Sequence, residues 1–297
     1  MEGRQVHGSK LRLELALVSA ASPTRTLRLA GVFPGELGSR IVCFELDSVP
    51  PIPVIRGAAV SHEDLVLEAA DGNKFAAFAA TPEESGVVGV VILPDVRGLY
   101  RFYEELALRF AERGIAAVAL DYFGRTAGVS KRGDDFEYVE HVAQTTPDGI
   151  QADVRAAVEY LRSNGVRSVF TVGFCFGGRN SGLAAAGRHG LAGAIGFYGR
   201  PGEGRDGTPG PAQLASELDA PILGLQAGAD QNISAEDNAA FEEALTVAGV
   251  EHELVTYDGA PHSFFDRTQE QFAAASEDAW GKVLAFIEHH SDQMAPV

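Results

Sequence analysis

Apolar runs alternate with amphipathic stretches over most of the chain. The runs 87–93 and 115–120 are almost wholly apolar, which is typical of strands that are buried on both faces of a sheet. Between them, Phe102, Leu106 and Phe110 recur at the spacing of one helix face. Because such strands and helices alternate, the sequence predicts an α/β fold with a mostly parallel central sheet and helices on both of its faces.

Turn and cap signals add further elements. The dipeptide Asp71-Gly72 separates two short strand-like stretches and predicts a β-hairpin. Asp148 is expected to cap one helix, and Ser234 with Asp237 resembles a capping box that opens another. The remaining expected elements are strands at 169–173, 191–198, 221–227 and 252–257, helices at 150–161, 234–248 and 272–287, a small-residue helix that ends near residue 187, and a loop or lid at 199–211.

Charge and proline content divide the chain near residue 57. Basic residues outnumber acidic ones before this point, and acidic residues predominate after it. Three prolines within 49–53 fix an extended backbone and predict a linker. We therefore expect a short N-terminal extension of unclear structure over 1–57, with short strands at 11–18 and 41–46 or little order, followed by one α/β domain over 58–297.

Charge and cysteine content argue against several kinds of partner. The 297 residues include 24 Lys and Arg against 41 Asp and Glu, a net charge of −17, and no basic stripe that would bind nucleic acid. No apolar run approaches the roughly 18 residues of a membrane helix. The two cysteines, Cys43 and Cys175, lie outside any C-x-x-C pair. We expect a cytoplasmic protein with free thiols, no bound metal and no nucleic-acid or membrane partner.

One segment has the pattern of a nucleophile elbow. Gly-Phe-Cys-Phe-Gly at 173–177 stands between a predicted strand and a predicted helix, with Cys175 where many hydrolases have serine. The turn is tight, so side chains at Gly173 and Gly177 would clash. It lifts the sulfur above the sheet and directs the positive end of the helix dipole at the thiol. The alternative is a small buried cysteine in a structural turn.

An acid and a histidine follow the elbow, each after its own predicted strand. Asp230 lies 55 residues after Cys175, and His262 lies 32 residues after Asp230. The order nucleophile, acid, histidine is that of the α/β-hydrolase fold. His262 would take the thiol proton and later activate water, while Asp230 would accept the other imidazole N–H and orient the ring. Asp237 is the competing acid, but it falls inside a predicted helix.

Five separated motifs resemble those of the dienelactone hydrolase family over roughly residues 60–290. The resemblance implies an α/β-hydrolase fold and a Cys-His-Asp hydrolase that acts on a small ester or lactone without a cofactor. The motifs are Leu-Pro-Asp-Val-Arg-Gly at 93–98, Asp-Tyr-Phe-Gly-Arg at 121–125, Gly-Phe-Cys-Phe-Gly-Gly at 173–178, Gly-Ala-Asp at 228–230 and Pro-His-Ser-Phe at 261–264.

The resemblance also implies roles for residues around the elbow. Asp95 stands where the family has an acid, often Glu, that contacts the nucleophilic thiol, although a turn also favours Asp. Arg125 matches an Arg that binds a substrate carboxylate, or it is an ordinary surface Arg. The family's second such Arg is Asp266 here, which favours a wider or less anionic ester or lactone. The expected oxyanion-hole donors are the backbone N–H groups of Phe176 and Val96, and the expected pocket walls include Tyr122, Tyr198 and Phe264.

Two other functions stay open from the sequence. The first is an amidotransferase-like or redox-sensing protein with a cysteine elbow, which the separate positions of Asp230 and His262 disfavour. The second is a non-catalytic binding module on a hydrolase scaffold, which the presence of all three triad residues disfavours. The sequence does not indicate an oligomeric state.

Overall fold

The apolar runs form one eight-stranded sheet in the computed structural model, which describes residues 49–58, 60–84, 86–133 and 135–292. The strands are β1 (Val60–Glu68), β2 (Lys74–Pro82), β3 (Val88–Leu93), β4 (Ala116–Leu120), β5 (Ser168–Phe174), β6 (Gly193–Phe197), β7 (Ile222–Ala227) and β8 (His252–Tyr257).

The order across the sheet is β1-β2-β4-β3-β5-β6-β7-β8. Within this sheet β2 runs antiparallel to both of its neighbours. The other neighbouring pairs are parallel, in the order β4, β3, β5, β6, β7 and β8. The predicted α/β class and mostly parallel sheet are confirmed. The hairpin predicted at Asp71-Gly72 is confirmed too, because β1 and β2 pair from Val60 opposite Pro82 to Glu68 opposite Lys74.

Seven α-helices occur among the described residues. The predicted helices are confirmed, although the one after the elbow ends at 184 and not near 187. Two one-turn helices were not predicted, because a single turn is too short to show a helical period. The helices are α1 (Arg101–Ala111), α2 (Gly124–Ala127), α3 (Tyr138–Val142), α4 (Pro147–Ser163), α5 (Phe176–Ala184), α6 (Ala235–Ala248) and α7 (Ala273–Asp292).

One helix cap differs from the prediction. The residue that caps α4 is Thr146, whose hydroxyl accepts the N–H of Gly149 at 3.1 Å. Asp148, the expected cap, lies in the first turn, where a carboxylate is stabilised by the helix dipole but does not replace the cap. The capping box predicted at Ser234 and Asp237 is confirmed.

Alternate residues of β5 pack on opposite faces of the sheet. Phe170 contacts Phe286 of α7, with the ring centroids 6.2 Å apart. Thr171, the next residue, shares a 2.8 Å hydrogen bond with Ser181 of α5. The central strand therefore has helices on both of its faces, and its carboxyl end emerges between them, where α5 begins.

A buried ion pair holds two loops at the carboxyl edge of the sheet. Arg132 binds Asp121 through both Nη2 and Nε, at 2.7 and 3.1 Å. Asp121 also accepts the backbone N–H groups of Leu99 and Phe123. Because Leu99 follows β3 and Asp121 follows β4, this pair joins the loops beside the elbow.

The predicted strands at 11–18 and 41–46, and Cys43, lie outside the described residues. The predicted linker at 49–53 and the residues that follow it contact the domain: the carbonyl of Val49 accepts from Gln269, and the N–H of Ile55 donates to Glu112. The division near residue 57 stays a prediction. No helix in the described ranges is long and apolar enough to cross a membrane.

Candidate active site

The sharp turn between β5 and α5 carries Cys175. Its φ is +55°, and its side chain is half-buried. A Cβ at Gly173 would lie 2.0 Å from the carbonyl oxygen of Gly177, and one at Gly177 would lie 2.0 Å from that of Leu93. The prediction that both flanking positions require glycine is confirmed. The backbone of this turn therefore fits against the end of β3.

His262 and Asp230 meet at the neighbouring strand ends. The Nδ1 of His262 lies 2.6 Å from Oδ2 of Asp230, whose other oxygen accepts the N–H of Asn232 at 2.8 Å. The N–H of Ala229 donates to the carbonyl of Ala260, so the loops after β7 and β8 are bonded to each other. The structure thus holds the predicted acid against the predicted histidine.

His262 also interacts with the sulfur of the elbow. Burial would lower the pKa of His262, but hydrogen bonds with Asp230 and Cys175, together with their negative charges, raise that pKa to about 10. Once His262 carries the thiol proton, the resulting imidazolium stabilises the thiolate beside it. The structure therefore brings Cys175, His262 and Asp230 into one connected group.

Asp95 lies buried near the same sulfur. Its Oδ1 accepts the N–H of Arg97 at 2.7 Å, and its Oδ2 accepts the hydroxyl of Tyr100 at 3.1 Å. The backbone N–H of Asp95 donates to the hydroxyl of Tyr103 at 2.9 Å. Burial, and then the charge of Cys175, raise the pKa of Asp95 to about 7. Neither tyrosine was predicted as a site residue; the closeness of both to Asp95 along the chain was the available signal.

Asp266 is a second buried acid at the site. Its side chain accepts the hydroxyl of Tyr198 at 2.8 Å, and the residue is 1% exposed. Burial, and then the charge of Asp95, raise the pKa of Asp266 well above its ordinary value, while Tyr198 and His262 lower it. The ring of Tyr198 lies 5.0 Å from that of His262. Asp266, which stands where the family has an Arg, therefore lies as an acid among the reactive groups.

Strained backbone is concentrated at this site. Cys175, Tyr198 and Ser263 are three of the four non-glycine residues with positive φ in the described ranges. Such conformations persist where the surrounding structure fixes them, and they are frequent at active sites. Cys175 follows β5, Tyr198 follows β6, and Ser263 follows His262 in the loop after β8. The strained residues therefore lie at the strand ends that form the site.

Arg125 already binds two carboxylates. Its Nη1 lies 2.5 Å from Asp153, and its Nη2 lies 2.7 Å from Asp71. A substrate carboxylate would have to replace one of these partners. Neither acid was predicted as a partner of Arg125, because the Asp71-Gly72 pattern indicates a turn and Asp153 lies in the middle of α4.

The predicted pocket walls are buried aromatic side chains. Tyr122 donates its hydroxyl to the carbonyl of Pro94 at 2.7 Å, and its ring packs against Phe176 at 5.3 Å. Phe264 is fully buried and contacts Tyr198 at 5.6 Å. These contacts give the rings a role in packing. Their role as walls of a substrate pocket stays a prediction.

The two predicted oxyanion donors lie at adjacent strand ends. Phe176 is the first residue of α5, so its N–H has no acceptor within the helix. Val96 lies in the turn closed by the N–H of Gly98 and the carbonyl of Asp95, at the end of β3. Because β3 and β5 are neighbours, both N–H groups belong to the edge that carries Cys175.

The segment 199–211, predicted as a loop or lid, is a loop that a side chain of α5 holds in place. Arg179, one turn after Cys175, is bonded along this loop, and burial lowers its pKa. A guanidinium that binds several carbonyls holds a loop in one conformation. Its acceptors are the carbonyl oxygens of Arg200, Gly202, Thr208 and Pro209.

A group of possible metal ligands lies away from this site. Glu251, His289 and His290 place one ligand atom each within 4.8 Å of one another. Glu251 precedes β8, so the group lies at the amino edge of the sheet, opposite to Cys175. It has no part in the chemistry proposed below.

Comparison with known proteins identifies the family of this chain. The model of the dienelactone hydrolase family matches residues 75–291. The chain belongs to the dienelactone hydrolase family. This membership confirms the resemblance and makes the protein an ester or lactone hydrolase.

Relatives and solved structures match most of the dienelactone hydrolase domain. A "Putative carboxymethylenebutenolidase" of Saccharolobus solfataricus is 31% identical over 255 residues, which covers 73% of this chain and 95% of that protein. A protein of the same name from Escherichia coli K12 is 28% identical over 227 residues, covering 74% and 84%. The crystal structure of a "Putative Dienelactone Hydrolase" from Klebsiella pneumoniae superposes with a TM-score of 0.69 at 22% identity, covering 77% of this chain and 99% of that one.

Proposed function

We propose that this hydrolase cleaves a small ester or lactone with Cys175 as nucleophile, His262 as general acid and base, and Asp230 as the orienting acid. The observation that supports this proposal most strongly is the connected group of the three side chains. Cys175 stands on a strained elbow, His262 interacts with it, and Asp230 holds the far nitrogen of the imidazole at 2.6 Å. This is the geometry that nucleophilic catalysis by a thiol needs.

The first half-reaction forms a thioester. When substrate binds, His262 takes the thiol proton, and the thiolate of Cys175 attacks the carbonyl carbon, whose oxygen becomes an oxyanion. The N–H groups of Phe176 and Val96 stabilise this oxyanion. When the carbon–oxygen bond breaks, His262 gives its proton to the leaving alkoxide, which departs as an alcohol or, from a lactone, stays attached to the acyl chain.

The second half-reaction uses water. Neutral His262 takes a proton from the water molecule, whose oxygen attacks the thioester carbon. The carbon–sulfur bond then breaks, the carboxylic acid leaves, and the thiolate faces the imidazolium again. Asp230 compensates the imidazolium charge in both halves and keeps the reactive nitrogen directed at the site.

Asp95 protects the resting thiol in this proposal. With a pKa raised to about 7, the Asp95 carboxyl shares a proton with Cys175 before substrate arrives. A thiol that holds its proton is oxidised more slowly than a thiolate. Because a cysteine nucleophile must stay reduced, we propose a reducing compartment, the cytoplasm, as its location.

The kinetic test compares Cys175→Ala with wild type on a small activated ester. The proposal predicts that kcat/KM falls by about a thousandfold or more, because the nucleophile is lost. Cys43→Ala is the matched control and should keep the wild-type rate. Full activity in Cys175→Ala would remove the thiol mechanism while leaving the family assignment in place.

The redox and binding alternatives make different predictions for the same protein. A redox sensor would form a stable sulfenic acid at Cys175 under mild peroxide, with no turnover of esters. A binding module would bind esters or lactones and leave them intact. Family membership favours hydrolysis over both.

A further inference from the structure

The mechanism above leaves one buried acid of the site without a role. Asp266 is 1% exposed and is held through Oδ2 by the hydroxyl of Tyr198. Its other oxygen, Oδ1, is buried and has no hydrogen-bond partner in the described part of the chain. A buried acceptor without a partner is costly, so a ligand that donates a hydrogen bond to it gains binding energy.

Several neighbours place Asp266 beside the reacting groups. Tyr198, which binds it, lies with its ring 5.0 Å from the ring of His262. The carboxyl of Asp266 also lies within electrostatic range of Asp95, His262 and Cys175. The charge of this acid therefore acts on a substrate that is held by the thiol.

The cation that would offset a substrate carboxylate is already paired. Both terminal nitrogens of Arg125 bind acids, namely Asp153 and Asp71. Burial raises the pKa of Asp266, and wherever its carboxyl is ionised it repels an anionic substrate, because like charges repel more strongly in a site of low polarity than in water. Discrimination by such a repulsive element is a common source of specificity.

We propose that Asp266 determines substrate charge in this enzyme: its ionised carboxylate disfavours esters and lactones that carry a carboxylate near the reacting carbonyl, and its Oδ1 then accepts a hydrogen bond from a hydroxyl or amino group of neutral or cationic substrates. This inference rests on the proposed function for its substrate class. The placement of Asp266 beside Cys175 is independent of turnover.

Alkylation of Cys175 tests the charge effect without any ester. Iodoacetamide and iodoacetate are alike in size and differ by one negative charge. In a Cys43→Ser background, the rate with iodoacetamide divided by the rate with iodoacetate is measured from about pH 6 to about pH 9. Asp266→Asn should lower this ratio by about fivefold or more at some pH in that range, because one like charge is removed.

The matched control is Asp219→Asn, which removes an exposed acid ahead of β7, at the opposite edge of the sheet. It should leave the ratio unchanged. Asp266→Ser is a second variant for the case that Asp266→Asn does not fold. A ratio within twofold of wild type over the whole pH range, in whichever Asp266 variant folds, would overturn the inference.

A pair of esters with one leaving group extends the test to turnover. 4-Nitrophenyl butanoate is neutral, and the mono-4-nitrophenyl ester of succinic acid carries a carboxylate. The ratio of kcat/KM for the neutral ester to that for the anionic ester should fall by about tenfold in Asp266→Asn. If wild type cleaves neither ester but the alkylation ratio shifts, the proposed function fails and the role of Asp266 stands. If wild type cleaves them through Cys175 and neither ratio shifts, the inference about Asp266 fails alone.

Discussion

The positive φ of Cys175, Tyr198 and Ser263 puts three residues of the site in a conformation that side-chain-bearing residues seldom adopt. Each stands where a strand or its loop turns sharply at the carboxyl edge of the sheet. The glycines at 173 and 177 permit the elbow. Gly173 packs against the backbone of Gly177, and Gly177 packs against the end of β3, so neither position has room for a side chain. At this scale, function depends on backbone shape as much as on side-chain chemistry.

Gly177→Ala should abolish both stability and activity. The added methyl would lie 2.0 Å from the carbonyl oxygen of Leu93, a backbone atom that cannot move without shifting β3. We expect a loss of several kcal/mol of unfolding free energy, about 3 or more, or no folded protein. Thermal unfolding is the measurement. Gly281→Ala in α7 is the control, since it meets open space and should leave stability equal or slightly higher.

Asp95→Asn should make the folded protein more stable at neutral pH and its thiol more easily oxidised. The folded-state pKa of Asp95 is raised to about 7, so the acid weakens folding increasingly as pH rises from its ordinary pKa towards 7. Asn removes this cost and also the group that shares the thiol proton. The measurements are the denaturant midpoint at neutral pH and the rate of sulfenic acid formation at Cys175. Slower oxidation in Asp95→Asn would contradict the protective role.

The secondary-structure elements followed their sequence patterns where those patterns were long. The strands and the longer helices could be placed because the spacing of their apolar residues and the length of the run indicate the same type of element, as in β8 at His252–Tyr257. The cap of α4 could not, because Thr146 and Asp148 are both good capping residues and only the backbone conformation decides between them. The one-turn helices α2 and α3 gave no period to detect.

Thr146→Ala should cost more stability than Asp148→Ala. Thr146 accepts a backbone N–H of α4, so its loss should lower the unfolding free energy by about 1 kcal/mol. Asp148 acts through the helix dipole alone, at a few tenths of a kcal/mol. Urea unfolding of both variants measures the difference. An equal or larger effect of Asp148→Ala would contradict the cap assignment.

On the scale of the whole molecule, the sheet topology assembles a site from distant segments. Residues near 95, 175, 230 and 262 meet because their strands end at one edge. The order and spacing of the motifs predicted that these residues lie together. The ion pairs that bind Arg125 and the contact of Tyr198 with Asp266 were not predictable, because they join segments far apart in sequence that carry no shared motif.

The pH dependence of stability should reflect His262. Its pKa is raised from about 6.5 when unfolded to about 10 when folded, so its contribution to stability is full below the unfolded pKa. That contribution is lost as pH rises through the folded value. The unfolding free energy should therefore fall between about pH 7 and about pH 10, and His262→Gln should flatten this fall. Parallel curves for the variant and wild type would contradict the raised pKa.

In the proposed reaction, the acyl group of the substrate is carried on the sulfur of Cys175. Mass spectrometry of the protein after rapid acid quench with an activated ester tests this most directly, with His262→Gln included to slow the second half-reaction. We expect one added acyl group on the peptide that contains Cys175, and we expect hydroxylamine to release it, as it releases a thioester. Hydrolysis with no acyl group on Cys175, or with the acyl group on another residue, would contradict it.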